Sequence, residues 1–148
     1  MTIQEVLQKL PFAPPFLFVD GLDHINSEKV QGHFTFRKDM DCYRGHFKGN
    51  PITPGVLLTE VMAQTGLVCL GIYLLGDEVL GGNMTFGLTS TEIEFLRPVF
   101  PGEKVTVYAE KVYFRFGKLK CRVILKNEAG EDVCSGTIAG MIITKPHE

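Results

Sequence analysis

The sequence predicts an α+β domain in which an antiparallel sheet wraps around one long central helix. Residues 54–75 form a mostly apolar run, opened by Thr53 as N-cap and Pro54 at the first helical position. Segments near 84–97, 104–116, 118–126 and 132–144 are rich in Val, Ile, Phe and Thr, as strands are. Pro101-Gly102 and the stretch Asn127 to Gly130 are turn signals between them. A helix apolar nearly all round has to be covered on most sides, and the strands that follow it supply the cover. At 148 residues the chain is read as one domain, 1–148, able to bury about 68–70% of its unfolded surface.

The remaining elements follow in chain order. Residues 2–10 have Ile3, Val6, Leu7 and Leu10 at helical spacing, and Pro11 ends that short amphipathic helix. Pro11, Pro14 and Pro15 form a rigid lead into Phe16–Asp20, read as a strand. From Val30 to Arg37 the pattern alternates, with Val30, Gly32, Phe34 and Phe36 on one face of a half-buried strand. Apolar residues occupy odd positions over 105–109 and even ones over 112–116, which predicts a bulge near Glu110. No internal repeat, linker or low-complexity tract interrupts the chain.

Composition excludes several classes. A net charge of −2 provides no global basic field for nucleic acid or an anionic membrane. The apolar run over 54–75 is long enough for a membrane span, but Glu60, Gln64 and Thr65 in its first half and the lack of basic flanks argue for a buried helix. Residues 1–10 carry Gln4, Glu5, Gln8 and Lys9 among the apolar positions, which is not signal-peptide chemistry. The four cysteines, at 42, 69, 121 and 134, have no Cys-x-x-Cys spacing, so neither a disulfide framework nor a zinc knuckle is expected. A reducing cytoplasm fits best. Cys42 lies four residues before His46, but nothing nearby would fix a Cys–His nucleophilic pair.

The densest chemistry lies between His46 and Glu60. A helix start leaves backbone N–H groups without partners and carries partial positive charge. Pro54 has no N–H, so the first donors are those of Gly55 and Val56, and Gly55 has no side chain to keep a ligand away. A thioester carbonyl placed there would have its developing enolate oxygen stabilised. A Pro-Gly helix start with no ligand is the plain alternative. His46 lies in the loop feeding this start, and its imidazole suits a base near neutrality. His33 repeats the Gly-His-Phe tripeptide on the polar face of a strand, where a solvated role is the default. Glu60 has Val56, Leu57, Ala63 and Gln64 one turn away, so desolvation should raise its pKa and let it donate a proton. A structural glutamate held by Gln64 is the competing reading. Base, acid and oxyanion donors together suit removal of a proton α to a thioester carbonyl with loss of a β-hydroxyl, or the reverse hydration. No metal or other cofactor is called for.

These residues resemble the β-hydroxyacyl-acyl-carrier-protein dehydratase family of hot-dog-fold enzymes. Gly45-His46-Phe47 with Gly49, Pro51, Pro54 and Gly55 is similar to the family's catalytic-histidine loop, and Glu60-Val61-Met62-Ala63-Gln64 to the start of its central helix. Leu10-Pro11 with Pro15 to Asp20, and Arg97 to Glu103, match less specific segments, so the similarity spans most of the chain. It implies a hot-dog fold and a hydro-lyase converting a (3R)-3-hydroxyacyl thioester to the trans-2-enoyl thioester, in fatty-acid or related acyl or polyene biosynthesis. His46 would act at the α-carbon, Glu60 at the β-hydroxyl, and the Gly55 amide on the thioester oxygen. Val56, Phe47 and Gln64 complete the substrate-binding set. It also implies a homodimer, or a trimer of dimers, with His46 facing Glu60 of the partner chain and an apolar acyl tunnel between subunits. Glu rather than Asp at position 60 favours plain dehydration without isomerisation. The chain departs from the family at Phe12-Ala13-Pro14, where His-Arg-Tyr is usual, and at Lys48, where Pro is usual.

The implied partner is an acidic acyl carrier protein, so basic groups near the site matter. Arg44 and Lys48 flank the histidine loop. Lys111, Arg115, Lys118, Lys120 and Arg122 are read instead as a solvated strand face. A hot-dog acyl thioesterase is the main rival, and a non-catalytic acyl-binding subunit the other. The pairing of His46 with Glu60 favours the dehydratase.

Overall fold

A computed structural model describes residues 1–76 and 84–144. Six strands form one antiparallel sheet in the order β1-β2-β4-β5-β6-β3. They are β1 (Gly21–Ile25), β2 (Lys29–Thr35), β3 (Met84–Phe95), β4 (Lys104–Arg115), β5 (Lys118–Lys126) and β6 (Asp132–Thr144). A short helix α1 (Ile3–Gln8) precedes them, capped by the Thr2 hydroxyl on the Glu5 N–H at 3.1 Å. The central helix α2 (Gly55–Leu75) lies against the sheet, and 72% of its most apolar window is buried there. This is the behaviour of a core helix, as the sequence predicts.

Helix and sheet fit because glycine brings the backbones close. A Cβ on Gly66 would lie 2.9 Å from Ala109 Cβ on β4 and 3.1 Å from Val123 Cγ1 on β5. Around that contact Val61, Met62, Leu67 and Leu70 of the helix meet Val105, Val107, Leu119, Val123, Leu125 and Ile138 of the sheet, all buried. The middle of α2, Ala63–Cys69, is π-helical, and the Gly66 carbonyl accepts from the Cys121 thiol at 3.5 Å.

Most predicted strands hold, and the differences have local causes. Phe16–Asp20 is not a strand, and the first strand begins at Gly21. The backbone of 16–18 has no ladder partner because the Gln64 side chain satisfies it. Phe18 N–H donates to Gln64 Oε1 at 2.8 Å, and Gln64 Nε2 donates to the Phe16 carbonyl at 3.0 Å. Edge-to-face packing then runs from Phe16 through Phe18 and Phe34 to Phe36, with ring centroids 4.9, 5.6 and 5.0 Å apart. The bulge expected near Glu110 falls between Lys111 and Tyr113.

The helix start also differs from expectation. Pro54 is the N-cap and no side chain caps α2, because the Thr53 hydroxyl is hydrogen-bonded to the Tyr43 hydroxyl at 2.6 Å. Thr53 N–H donates to the Val99 carbonyl at 2.9 Å, which fixes this end of the helix to the segment after β3.

The Gly66 contact makes a direct prediction. Gly66→Val would overpack Ala109 and Val123 and should cost about 1–3 kcal/mol in chemical denaturation, despite the better helix propensity of Val. A variant as stable as wild type would mean that helix and sheet have room to separate.

Candidate active site

His46 is partly buried in an otherwise exposed loop after a 3₁₀ turn, Asp41–Arg44. The loop closes on itself: Ile52 N–H donates to the His46 carbonyl at 2.8 Å, and Phe47 and Asn50 exchange two backbone bonds. His46 Nδ1 lies 2.7 Å from the Ile52 carbonyl oxygen. A carbonyl can only accept, so Nδ1 carries the proton and Nε2 has the free lone pair. The ring is stacked on Phe47, with centroids 4.1 Å apart, and Phe47 itself is exposed.

Glu60 lies on α2 and is partly buried. Burial raises its pKa above the ordinary 4.5, and a hydrogen bond from Gln64 opposes part of that rise. Gln64 Nε2 donates to Glu60 Oε2 at 2.9 Å. The Gln64 amide is fully buried, and both of its N–H groups are taken within the chain, by Glu60 and by Phe16. Its observed contacts are therefore those of a residue that positions Glu60.

Gly55 and Val56 open the helix with no acceptor for their N–H groups among the described residues. The first donor used is that of Leu57, to the Pro54 carbonyl at 3.0 Å. Because Thr53 is held by Tyr43, no hydroxyl competes for those donors. A Cβ at Gly55 would lie 3.2 Å from Phe95 Cε1, so the phenyl ring borders the helix start. An open cavity of about 650 Å³ unites Gly55, Val56 and Glu60 with Thr59 of the helix and Leu88, Thr91, Ile93 and Phe95 of β3. His46 and Phe47 do not line it, and no hydrogen bond joins His46 to Glu60 within the chain.

Sequence reasoning missed Tyr43 and Phe95 as supports of this site, and it read Thr53 as a helix cap where its hydroxyl is bonded to Tyr43. The Tyr43–Thr53 bond crosses a loop and the Phe95 contact joins elements forty residues apart, so no local pattern announces either. Among the described residues there is no cluster of ligands for a metal ion. Cys42 has its thiol pKa raised by burial, which works against a thiolate nucleophile. Arg44 is ion-paired with Asp41 at 3.1 Å on an exposed turn. Lys111 is paired with Glu28 at 3.2 Å, and the Arg115 guanidinium lies 4.4 Å from the centre of the Tyr113 ring.

A six-stranded antiparallel sheet around a central helix is the hot-dog fold. Two solved thioesterases share it. One, from Haemophilus influenzae, has TM-score 0.69 at 12% identity, covering 100% of this chain and 94% of its own. The other, from Pseudomonas aeruginosa, has TM-score 0.71 at 10% identity, covering 97% and 95%. Sequence goes further than fold. The profile of the ApeI-like family, described as ApeI dehydratase, matches residues 23–137. The 3-hydroxyacyl-[acyl-carrier-protein] dehydratase FabZ of Clostridium perfringens is 32% identical over 142 residues, 93% of this chain and 96% of its own. That of Rhizobium rhizogenes is 34% identical over 145 residues, 97% of this chain and 88% of its own. The chain belongs to the ApeI-like dehydratase family, and the expected hydro-lyase class is borne out.

The burial of Glu60 has a cost that depends on pH. In the unfolded chain this carboxyl ionises near its ordinary value of 4.5, and in the fold it ionises at higher pH. Below both values the proton is bound in both states and contributes nothing. As pH rises past 4.5 the unfolded state releases its proton first, so stability falls until the folded carboxyl ionises as well. Glu60→Gln should therefore unfold at higher denaturant than wild type near pH 7, with the gap closing at low pH. A variant less stable at neutral pH would contradict the desolvation.

Proposed function

We propose that the chain removes water from a 3-hydroxyacyl thioester carried by an acyl carrier protein, giving the trans-2-enoyl thioester. The observation that carries this reading is a free helix start and a partly buried carboxyl of raised pKa in one groove, with the His46 loop leading into that helix start. His46 Nε2 takes the α-proton, and the Nδ1–H bond to the Ile52 carbonyl orients the ring and stabilises the imidazolium that forms. The thioester oxygen gains charge against the Gly55 and Val56 N–H groups. The electron pair from the α-C–H bond forms the α,β double bond as the β-C–O bond breaks. Glu60, whose burial favours the protonated form, gives its proton to the departing hydroxyl, which leaves as water. Proton return from His46 to Glu60 resets the site.

In this reading two copies complete each site. Among the described residues β3 is an edge strand with one side unpaired, and Val56, Leu88, Phe95 and Leu96 on or beside it are exposed. An edge with this much apolar surface is normally covered. Antiparallel pairing of two β3 edges would close the groove and bring one chain's His46 toward the other's Glu60. Arg44 and Lys48, both exposed on the histidine loop, are the basic groups nearest to a docked acidic carrier. Phe47, exposed and stacked on His46, would border the phosphopantetheine arm. The cytoplasm is the expected compartment. The thioesterase alternative rests on structural likeness at 12% and 10% identity, which speaks to fold alone.

The test is hydration and dehydration of 2-enoyl and 3-hydroxyacyl thioesters by wild type, His46→Ala and Glu60→Gln. Each substitution should lower kcat by about 10²–10⁴-fold, the contribution of one general acid or base. Glu60→Gln should also abolish the limb of the pH–rate profile on which activity falls as the acid ionises. Thiol release from saturated acyl thioesters, with no hydration, would favour the rival.

A further inference from the structure

The groove beside Glu60 has a floor that extends well beyond the residues so far described. β3 ought to alternate between faces, yet its ladder with β6 shifts register between Leu88 and Ser90. The extra residue, Thr89, reverses the alternation. Met84, Phe86 and Leu88 before the bulge therefore face the same way as Thr91, Ile93 and Phe95 after it, toward α2. The same face of β3 thus follows α2 on both sides of the bulge, as one seam with a separate cavity at each end. Its near end is the open groove of Gly55, Val56, Thr59 and Glu60. Its far end is a tight pocket lined by Val68, Ile72 and Leu75 of the helix and Met84 and Phe86 of the strand, with Lys9 and Pro11 across it.

Phe86 stands between the two. Its ring occupies the space where Gly71 lacks a side chain, so that a Cβ on Gly71 would overlap the ring carbons. Leu67 fills the neighbouring space in the same manner, against Gly140, whose added Cβ would lie 2.5 Å from Leu67 Cδ2. Gly71 is buried in the helix interior, where glycine is about 1 kcal/mol worse than alanine. The helix carries that cost at a turn where a phenyl ring crosses the seam.

We infer that Phe86, seated against Gly71, is the stop that sets the length of acyl chain the enzyme accepts. The inference rests on the dehydratase reading above and adds a substrate class to it. The acyl tail runs from Glu60 along the seam and ends at the Phe86 ring. Glu60 and Gly71 are eleven residues apart on the helix, which is about 16 Å at 1.5 Å per residue. Acyl groups longer than that span meet a ring that can yield only by entering the tight pocket behind it. Phe86 is a specificity-determining residue with no part in the proton transfers.

The experiment measures kcat/KM for hydration across trans-2-enoyl thioesters of increasing chain length, in wild type, Phe86→Ala, Phe86→Leu and Gly71→Ala. Wild type should show a sharp drop beyond one length. Phe86→Ala should raise the ratio of long-chain to short-chain kcat/KM by about tenfold or more, since one methylene in an apolar pocket is worth that much. Gly71→Ala, which pushes the ring into the groove, should lower the ratio. If Phe86→Ala fails to fold, the same increase, smaller in size, is expected of Phe86→Leu. A wild type that hydrates short substrates, with a length profile that none of these variants moves, overturns the inference and leaves the dehydratase reading intact. A wild type that hydrates no length overturns both.

Discussion

A primary amide buried in an apolar helix must find partners for two N–H groups and a carbonyl, and at Gln64 those partners organise the molecule. One N–H holds the Glu60 carboxyl, the other holds the Phe16 carbonyl, and Oε1 accepts from Phe18 N–H. The amide thus binds the segment before β1 to the central helix and aims the acid in the same act. Leaving any of these groups unsatisfied would cost about 1–3 kcal/mol. The aromatic run from Phe16 to Phe36 then packs on the segment that Gln64 has fixed. Fold and chemistry share one side chain, which explains a fully buried glutamine in a helix that could have been wholly apolar.

The same helix makes the acid useful by making it uncomfortable. Partial burial raises the Glu60 pKa, while the Gln64 bond limits the rise. A carboxyl in that balance stays protonated to higher pH than a solvated one. At the other end of the run, two hydrogen bonds set the remaining components. The Ile52 carbonyl fixes the His46 tautomer, and the Tyr43–Thr53 bond withdraws the one hydroxyl that would have capped the helix. The Gly55 and Val56 donors stay free because their natural cap is occupied elsewhere.

Much of this was legible from local pattern. β5 and β6 have the bounds that alternation and turn residues predict, and β4 differs by one residue. The buried helix and the raised acid also follow from neighbours within one turn. What local pattern missed depends on distant partners. Phe16–Asp20 has strand composition, but whether it forms a ladder depends on Gln64, more than forty residues away. Thr53 has N-cap chemistry, but Tyr43 claims it. The β3 bulge at Thr89 is a different case, because it is legible as a switch of apolar parity, even at Met84, Phe86 and Leu88 and odd at Ile93 and Phe95, the same signal that marks β4. The resemblance supplied the family, which the match over residues 23–137 shows, and the shared site is its expectation, one that no pattern within a single chain announces.

The central claim is that the run from His46 to Glu60 serves two sites, one in each direction across a dimer. Subunit complementation tests it most directly. His46→Ala and Glu60→Gln chains, each nearly inactive alone, are co-expressed with different tags and the mixed dimer is isolated. In that dimer one site pairs Ala at 46 with Gln at 60, and the other pairs an intact His46 with an intact Glu60 from the opposite chain. The expected result is recovery to about half the wild-type rate per dimer, one site of two. A mixed dimer as inactive as its parents would mean that His46 and Glu60 of the same chain work together, contradicting the account.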